Sequence, residues 1–168
     1  MKTTLRMLAI VVALGIVTGI LTSRAPAAGD PPSSDRASVP SGKPEDPNYA
    51  KAVKAIEAKQ FAAAIPLLED VVTRDANNAD AYNWLGYAVR KNGNPAASIP
   101  IYQKALALDP KHRGAHEYIG EAYLMLNDLP KAKEHLARLD KLCFFSCEEY
   151  RDLKKAIEAY EKTRKTSR

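Results

Sequence analysis

One stretch of the chain decides the fold: Asn78-Ala-Asp-Ala-Tyr-Asn-Trp-Leu-Gly-Tyr-Ala-Val-Arg-Lys-Asn-Gly-Asn-Pro-Ala-Ala-Ser-Ile-Pro-Ile-Tyr-Gln-Lys-Ala-Leu-Ala-Leu-Asp-Pro110. Its small residues recur 34 positions away in both directions, as Ala52, Gly86 and Gly120 in one set and Ala64, Ser98 and Ala132 in the other. A fixed period of this size predicts stacked pairs of helices, in which small residues allow the helices to approach closely.

The turns inside the unit carry ordinary helix-end signals. Gly93 follows one predicted helix, Asn94 is an N-cap residue, and Pro95 suits the first position of the next helix. The segments Lys59-Gln60 and Asn127-Asp128 hold the corresponding places in the neighbouring units. Each unit is therefore predicted to be one helix, a short turn and a second helix.

The middle unit resembles a tetratricopeptide repeat through Tyr82, Leu85, Gly86, Gly93, Tyr102, Ala105, Leu108, Asp109 and Pro110. The resemblance implies an all-α fold, a right-handed α-solenoid of three helix pairs and a C-terminal capping helix. The units are expected at about 45–78, 79–112 and 113–142, within a domain that covers residues 47–162. In such a solenoid the first helices of successive units line a concave groove, where a peptide or protein partner binds.

Residues 1–28 are predicted to be an export signal, because Lys2 and Arg6 precede an apolar run from Met7 to Leu21 and Ala25-Pro-Ala27 suits cleavage. The 15 residues of that run would rise only about 22 Å as a helix, less than the roughly 30 Å of a hydrocarbon core. Cleavage is therefore favoured, and the chain is expected in the periplasm or outside the cell. An uncleaved signal would anchor the same domain to the membrane.

Residues 29–46, rich in Pro and Ser, are expected to be a disordered linker. The formal charge of +5 falls to +2 when the three basic residues of the signal leave with it. The last eight residues hold four basic groups and one acid, so the rest of the mature chain is close to −1. A nucleic-acid binder needs a basic stripe on the fold itself, so that class is excluded. The tail 163–168 is expected to be a solvated helix end, or else a weak contact with an anionic membrane surface.

Cys143 and Cys147 are the feature that a generic helical repeat lacks. Ser146 and Glu149 have the spacing of a capping box, which predicts a bend followed by a capping helix over 147–162. A bend brings cysteines four residues apart close enough to bond, and export with an even cysteine count favours oxidation. A structural disulfide is predicted; a redox dithiol or a copper-binding pair remains the alternative.

Other chemistry is sparse. His112 falls in the loop after Pro110, His116 occupies a position that the resembled family fills with an aromatic ring, and His135 is expected on an exposed helix face. Packed or solvent-facing histidines are favoured over metal ligands. The sequence contains no Ser/His/Asp set, phosphate-binding glycine loop or evident pair of cleft carboxylates. No enzymatic activity, cofactor or metal is predicted.

The resemblance places thirteen residues in the groove by their register. They are Tyr49, Val53, Ile56 and Glu57 from the first unit, Asp80, Asn83, Tyr87, Arg90 and Lys91 from the second, and Glu117, Glu121, Leu124 and Met125 from the third. Arg90 with Lys91 could bind a carboxylate, and Glu117 with Glu121 a basic group. Chaperone-binding members of the family hold a terminal carboxylate with Lys and Asn, where this chain has Tyr49, Val53 and Trp84.

The sequence therefore predicts a non-enzymatic, exported scaffold that binds a protein or peptide partner in its groove, within an envelope assembly. The alternative is a thiol-redox or copper-handling protein that uses Cys143 and Cys147. Self-association through the groove or an open end of the solenoid is a third hypothesis.

Overall fold

The computed structural model describes residues 46–166, which form seven α-helices and contain no strand. The helices are α1 (Pro47–Glu57), α2 (Phe61–Arg74), α3 (Ala79–Lys91), α4 (Pro95–Leu108), α5 (Arg113–Met125), α6 (Leu129–Leu142) and α7 (Glu148–Thr166). The predicted signal peptide, nearly all of the predicted linker and the last two residues of the tail lie outside the described part.

Each helix packs against the next one along the chain, and α7 packs against both α5 and α6. Three helix pairs and one further helix thus follow each other in a single stack. The predicted all-α solenoid is confirmed. Within the described residues, no helix is long and apolar enough to cross a membrane.

Polar side chains at the N-caps decide where the helices begin. The side chains of Asp46, Asn78, Asn94 and Asp128 each accept a hydrogen bond from a backbone N–H in the first turn of α1, α3, α4 and α6. His112 does the same for α5, because its Nδ1 accepts from the N–H of Ala115 at 3.2 Å. These caps satisfy donors that have no partner inside the helix.

The turns within the three pairs share one backbone conformation. Lys59, Gly93 and Asn127 have φ values of +58°, +94° and +63°. They stand 34 residues apart, so the left-handed residue that ends the first helix is part of the repeat. Gly93 adopts this conformation without steric cost, whereas Asn tolerates it and Lys is strained there.

The repeated small residues Gly86 and Gly120 make two different close contacts. A Cβ on Gly86 would lie 2.7 Å from the Tyr102 ring, which belongs to the second helix of the same pair. A Cβ on Gly120 would lie 2.6 Å from the Leu153 side chain, which belongs to α7. Gly120 therefore serves the packing of the capping helix, rather than its own pair as the repeat alone predicted.

The capping helix begins later than the sequence predicted and extends further. It runs from Glu148 to Thr166 instead of 147–162. Ser146 has φ +47°, whereas an N-cap residue normally has an extended conformation. The carbonyl of Cys147 accepts from the N–H of Arg151 at 3.2 Å, so Cys147 stands at the N-cap position. The predicted capping box at Ser146 is wrong by one residue.

Candidate functional site

An aromatic layer runs through the middle of the solenoid and joins the three pairs. The Tyr87 ring contacts the Phe61 ring at a centroid distance of 6.0 Å and the Tyr118 ring at 5.1 Å, both edge to face. Trp84 packs on Tyr87 at 6.1 Å. Phe61 belongs to α2, Tyr87 to α3 and Tyr118 to α5, so the layer fixes the first helices of the second and third units relative to each other.

Arg90 is the one described cation that is buried in this layer, being only 4% exposed, whereas Lys91 lies over the Phe61 and Tyr87 rings from the partly exposed side. Its guanidinium lies 5.3 Å from the Tyr87 ring and 5.4 Å from the Tyr118 ring. Its Nη2 atom is 2.7 Å from Oε2 of Glu121. Burial lowers the pKa of Arg90, but the nearby Tyr102 and Glu121 more than offset it, so the pKa lies above its ordinary value. Arg90 therefore stays charged and links α3 to α5.

This ion pair corrects part of the sequence interpretation. Arg90 was expected to bind a partner's carboxylate and Glu121 a partner's basic group, yet each binds the other. The two positions face each other across successive first helices, where opposite charges attract at short range with little water between them. Neither group is available as an unengaged charge for a ligand.

The structure divides the thirteen predicted groove residues by exposure. Six are buried, namely Ile56, Asn83, Tyr87, Arg90, Glu117 and Leu124. Seven are partly or fully exposed, namely Tyr49, Val53, Glu57, Asp80, Lys91, Glu121 and Met125. The exposed set lies on α1, α3 and α5, and α3 contacts both of the other two first helices. Direct contact with a partner can thus involve only the exposed set.

Asn83 has one polar atom that the fold does not satisfy. Its side chain is 4% exposed, and its Oδ1 has no hydrogen-bond partner among the described residues. Its Nδ2 lies 3.4 Å from the position of a Cβ on Gly114. A buried, unsatisfied carbonyl is unfavourable, so this oxygen lowers the stability of the fold.

The three histidines form polar contacts of the fold. Nε2 of His112 lies 3.1 Å from Oδ1 of Asp80. His116 donates from Nε2 to the carbonyl of Pro110 at 3.0 Å, since a carbonyl can only accept. Its Nδ1, 3.0 Å from Nδ1 of His135, then accepts from that ring. The two histidines are therefore neutral partners in one hydrogen bond.

His135 was predicted on an exposed face, and the structure corrects this. Its ring stacks on Tyr123 at a centroid distance of 5.8 Å and 21°, and it is partly buried. Burial lowers the pKa of His135 to about 4, with further contributions from His116 and Arg138. Burial also lowers the pKa of His116. Within residues 46–166, no three side chains of metal-ligand type lie close enough to hold an ion.

The cysteine segment links α6 to α7 at the edge of the solenoid. The Cα atoms of Cys143 and Cys147 are 5.4 Å apart, within the range of disulfide-bonded cysteines. Between them, Phe144 and Phe145 are 92% and 87% exposed. The sequence interpretation missed these two rings, although a pair of adjacent Phe residues in a predicted bend was a signal for them.

The fold and this surface define a helical-repeat scaffold without an evident reaction centre in the described residues. Two family models described as tetratricopeptide repeat match residues 49–113 and 89–157 and together span most of the described chain. The chain belongs to the tetratricopeptide repeat family. Members of this family are protein–protein interaction scaffolds, and a protein partner is the expectation for this chain.

Several known proteins are similar to parts of the chain. Tetratricopeptide repeat protein 1 of Schizosaccharomyces pombe is 34% identical over 92 residues, which is 51% of this chain but only 9% of that protein. A structure of MamA from Desulfovibrio magneticus RS-1, from residue 41 to its end, is 32% identical with a TM-score of 0.55 and matches over 56% of this chain and 54% of the solved one. The chain thus spans about half or less of these two relatives.

Two further structures share the fold. The Yersinia enterocolitica type III secretion translocator chaperone SycD has a TM-score of 0.64 at 16% identity and covers 70% of this chain and 83% of its own. The first tetratricopeptide repeat domain of Spaghetti, bound to an HSP90 peptide, has a TM-score of 0.60 at 21% identity and covers 67% and 89%. Both support the α-solenoid.

Proposed function

We propose that this chain is a non-enzymatic scaffold of the periplasm or cell exterior, which holds a protein or peptide partner on the surface formed by α1, α3 and α5. Membership of the tetratricopeptide repeat family supports a protein partner. The similar domain of Spaghetti binds a peptide, which supports the peptide form of the proposal. The export signal predicted at residues 1–28 supports the location.

One observation carries the proposal: an aromatic layer with a buried ion pair fixes α3 and α5, the first helices of the second and third units, to each other. Tyr87 and Tyr118 enclose the Arg90 guanidinium, and Arg90 holds Glu121 at 2.7 Å. Side chains that are already ordered lose little entropy when a partner binds. The outer, exposed residues of the same helices can then contact a partner from a rigid base.

The chemistry of this surface favours an apolar or mixed partner segment over a terminal carboxylate. Tyr49 and Val53 stand where the carboxylate-binding members of the family need Lys and Asn. Trp84, at the third such position, is 5% exposed and packs on Tyr87. Tyr and Met provide large contacts at low entropic cost or with adaptable shape. The proposed ligand is a helix or extended segment with apolar side chains.

The test is affinity capture from an envelope fraction, with the wild-type chain beside a variant that carries Val53→Glu and Met125→Glu. Met125 is exposed, whereas Val53 is half-buried against the core, so the melting temperature of the variant is measured first to establish that it is folded. Gln103→Glu on the exposed side of α4 is the matched control. We expect the double variant to lose partners that the wild type and the control retain. Recovery of the same partners by all three would refute binding on this surface.

The export proposal has its own test. The chain should fractionate with the periplasm or culture medium, and its mass should correspond to cleavage near residue 28. A full-length mass in the membrane fraction would instead support the anchored form. Full-length chain in the cytoplasm would refute export.

We further propose that Cys143 and Cys147 form a disulfide that fixes the start of α7. The Cα separation of 5.4 Å supports it. The alternative, a thiol-redox or copper-handling role, predicts a pair that is easily reduced or takes up Cu(I). Thiol titration of the purified protein under mild reductant separates the two, since a structural bridge gives no titratable thiol until the protein is unfolded in the presence of a strong reductant. Sedimentation at several concentrations tests self-association.

A further inference from the structure

Phe144 and Phe145 are the most exposed aromatic side chains in the described part of the chain. Their exposed fractions are 92% and 87%, whereas every other described Phe, Tyr and Trp is buried or partly buried. A single exposed apolar residue is ordinary, but two adjacent phenyl rings at one tip form an apolar patch. Such patches mark interaction sites on soluble proteins.

The loop that carries the rings is held at both ends. The N–H of Cys143 donates to the carbonyl of Leu139 at 2.9 Å, as the last turn of α6, and Cys147 stands at the N-cap of α7. The two phenyl rings contact each other edge to face at 4.7 Å. A short loop fixed between two helices presents its side chains with little freedom to lose on binding.

The charges beside the loop favour a protein over a membrane. Asp140 and Lys141 precede it, Glu148 and Arg151 follow it, and all four are exposed. Attraction to anionic lipid needs an excess of basic residues, which this balanced set does not supply. An aromatic centre with a rim of mixed charge is the usual composition of a protein–protein contact.

We propose that the loop 143–147 is a second docking site, in which Phe144 and Phe145 insert into an apolar pocket of a partner protein. The site is separate from the surface proposed above. Arg113, at the start of α5, approaches Glu149 of α7 at 3.7 Å, which places the loop at that end of α5. Met125 lies at the other end of this 13-residue helix, about 18 Å from Arg113 at 1.5 Å per residue. The loop is therefore far from Met125, whereas Asp80 of the first-helix surface contacts His112 at the near end of α5 at 3.1 Å.

The first test is site-specific crosslinking in cells that express the full chain. Phe144 is replaced by the photoreactive p-benzoyl-phenylalanine, which keeps an aromatic side chain at the tip, and Gln103 on α4 is replaced in the control. We expect irradiation to join position 144, but not position 103, to a different protein at a peptide that lines an apolar concavity. A product that contains only this chain, a product with lipid, or no product would overturn the proposal.

The second test measures affinity for the crosslinked protein after its purification. Phe144→Ser with Phe145→Ser should weaken binding at least about 30-fold, as expected for a hot spot, with an unchanged melting temperature. Val53→Glu, on the other proposed surface, should bind as the wild type does. Wild-type affinity for the double variant would overturn docking by the loop, whereas loss of binding by Val53→Glu alone would assign that partner to the first-helix surface.

Discussion

Replacement of Gly86 by Ala tests the close contact at the centre of the middle pair. The added Cβ would lie 2.7 Å from two carbons of the Tyr102 ring, far inside van der Waals contact. Tyr102 is fully buried and lies beside Tyr118 and Arg90, so the ring has no free space to move into. Overpacking of this kind costs about 1–3 kcal/mol, and Ala returns up to about 1 kcal/mol of helix propensity.

Gly86→Ala should therefore lower the free energy of unfolding by about 1–2 kcal/mol. In a domain of this size, that corresponds to a melting temperature lower by roughly 5 °C. Circular dichroism at 222 nm measures it. Gly114→Ala is the matched control, because its Cβ would lie 3.4 Å from Nδ2 of Asn83, an ordinary contact. That variant should melt at or slightly above the wild-type temperature. If Gly86→Ala does so too, the packing argument is wrong.

A double-mutant cycle locates the cause. Tyr102→Leu alone should destabilise the protein by creating a cavity, and in its presence Gly86→Ala should cost much less than in the wild type. If the stability effects of Gly86→Ala and Tyr102→Leu are additive, the new methyl group does not contact the Tyr102 ring, because the effects of independent sites add and those of contacting sites do not.

Three further predictions concern the polar contacts and the loop. The pKa of His135 is about 4 in the folded chain against 6.5 as its ordinary value, so the unfolded chain binds more protons between these pH values and stability should fall as pH is lowered from 6.5 to 4. The melting temperature of His135→Gln, followed over the same range, should show a shallower fall, and an equal fall would contradict the assignment. Arg90→Met should lower the free energy of unfolding, measured in urea, by about 3–5 kcal/mol, because it leaves the Glu121 carboxylate without its partner. Adding Glu121→Met should restore much of that free energy. Replacing both Cys143 and Cys147 by Ser should lower the free energy of unfolding by about 2 kcal/mol, as expected for a short closed loop; no change would argue against the bridge.

Most of the fold could be predicted because its signals are local and repeat in phase. The turn Gly93-Asn94-Pro95 specifies a helix end, a cap and a new start within three residues, and the structure has all three. The first residue of α7 was predicted less accurately from the sequence. Ser146 and Glu149 match a capping box, but Ser146 adopts a left-handed conformation in the short linked loop, which no local pattern encodes.

The candidate surface could be predicted less well because register gives position but not exposure. Arg90 and Glu121 lie on successive first helices, and only the three-dimensional packing reveals that they bind each other. His135 looked exposed from its charged neighbours, yet it stacks on Tyr123 and bonds to His116. Contacts between different helices decided each of these cases, and they are absent from a pattern along one helix.

The seating of Leu153 against Gly120 has an evolutionary consequence. Repeat arrays grow by duplication of whole repeats. An added repeat needs an exposed apolar surface on the last helix pair against which it can pack. On the third helix pair this surface is already covered by Leu153, whose side chain fits there only because Gly120 has no side chain. A longer descendant could arise by inserting a repeat before α5, which would leave the contact between Leu153 and Gly120 unchanged.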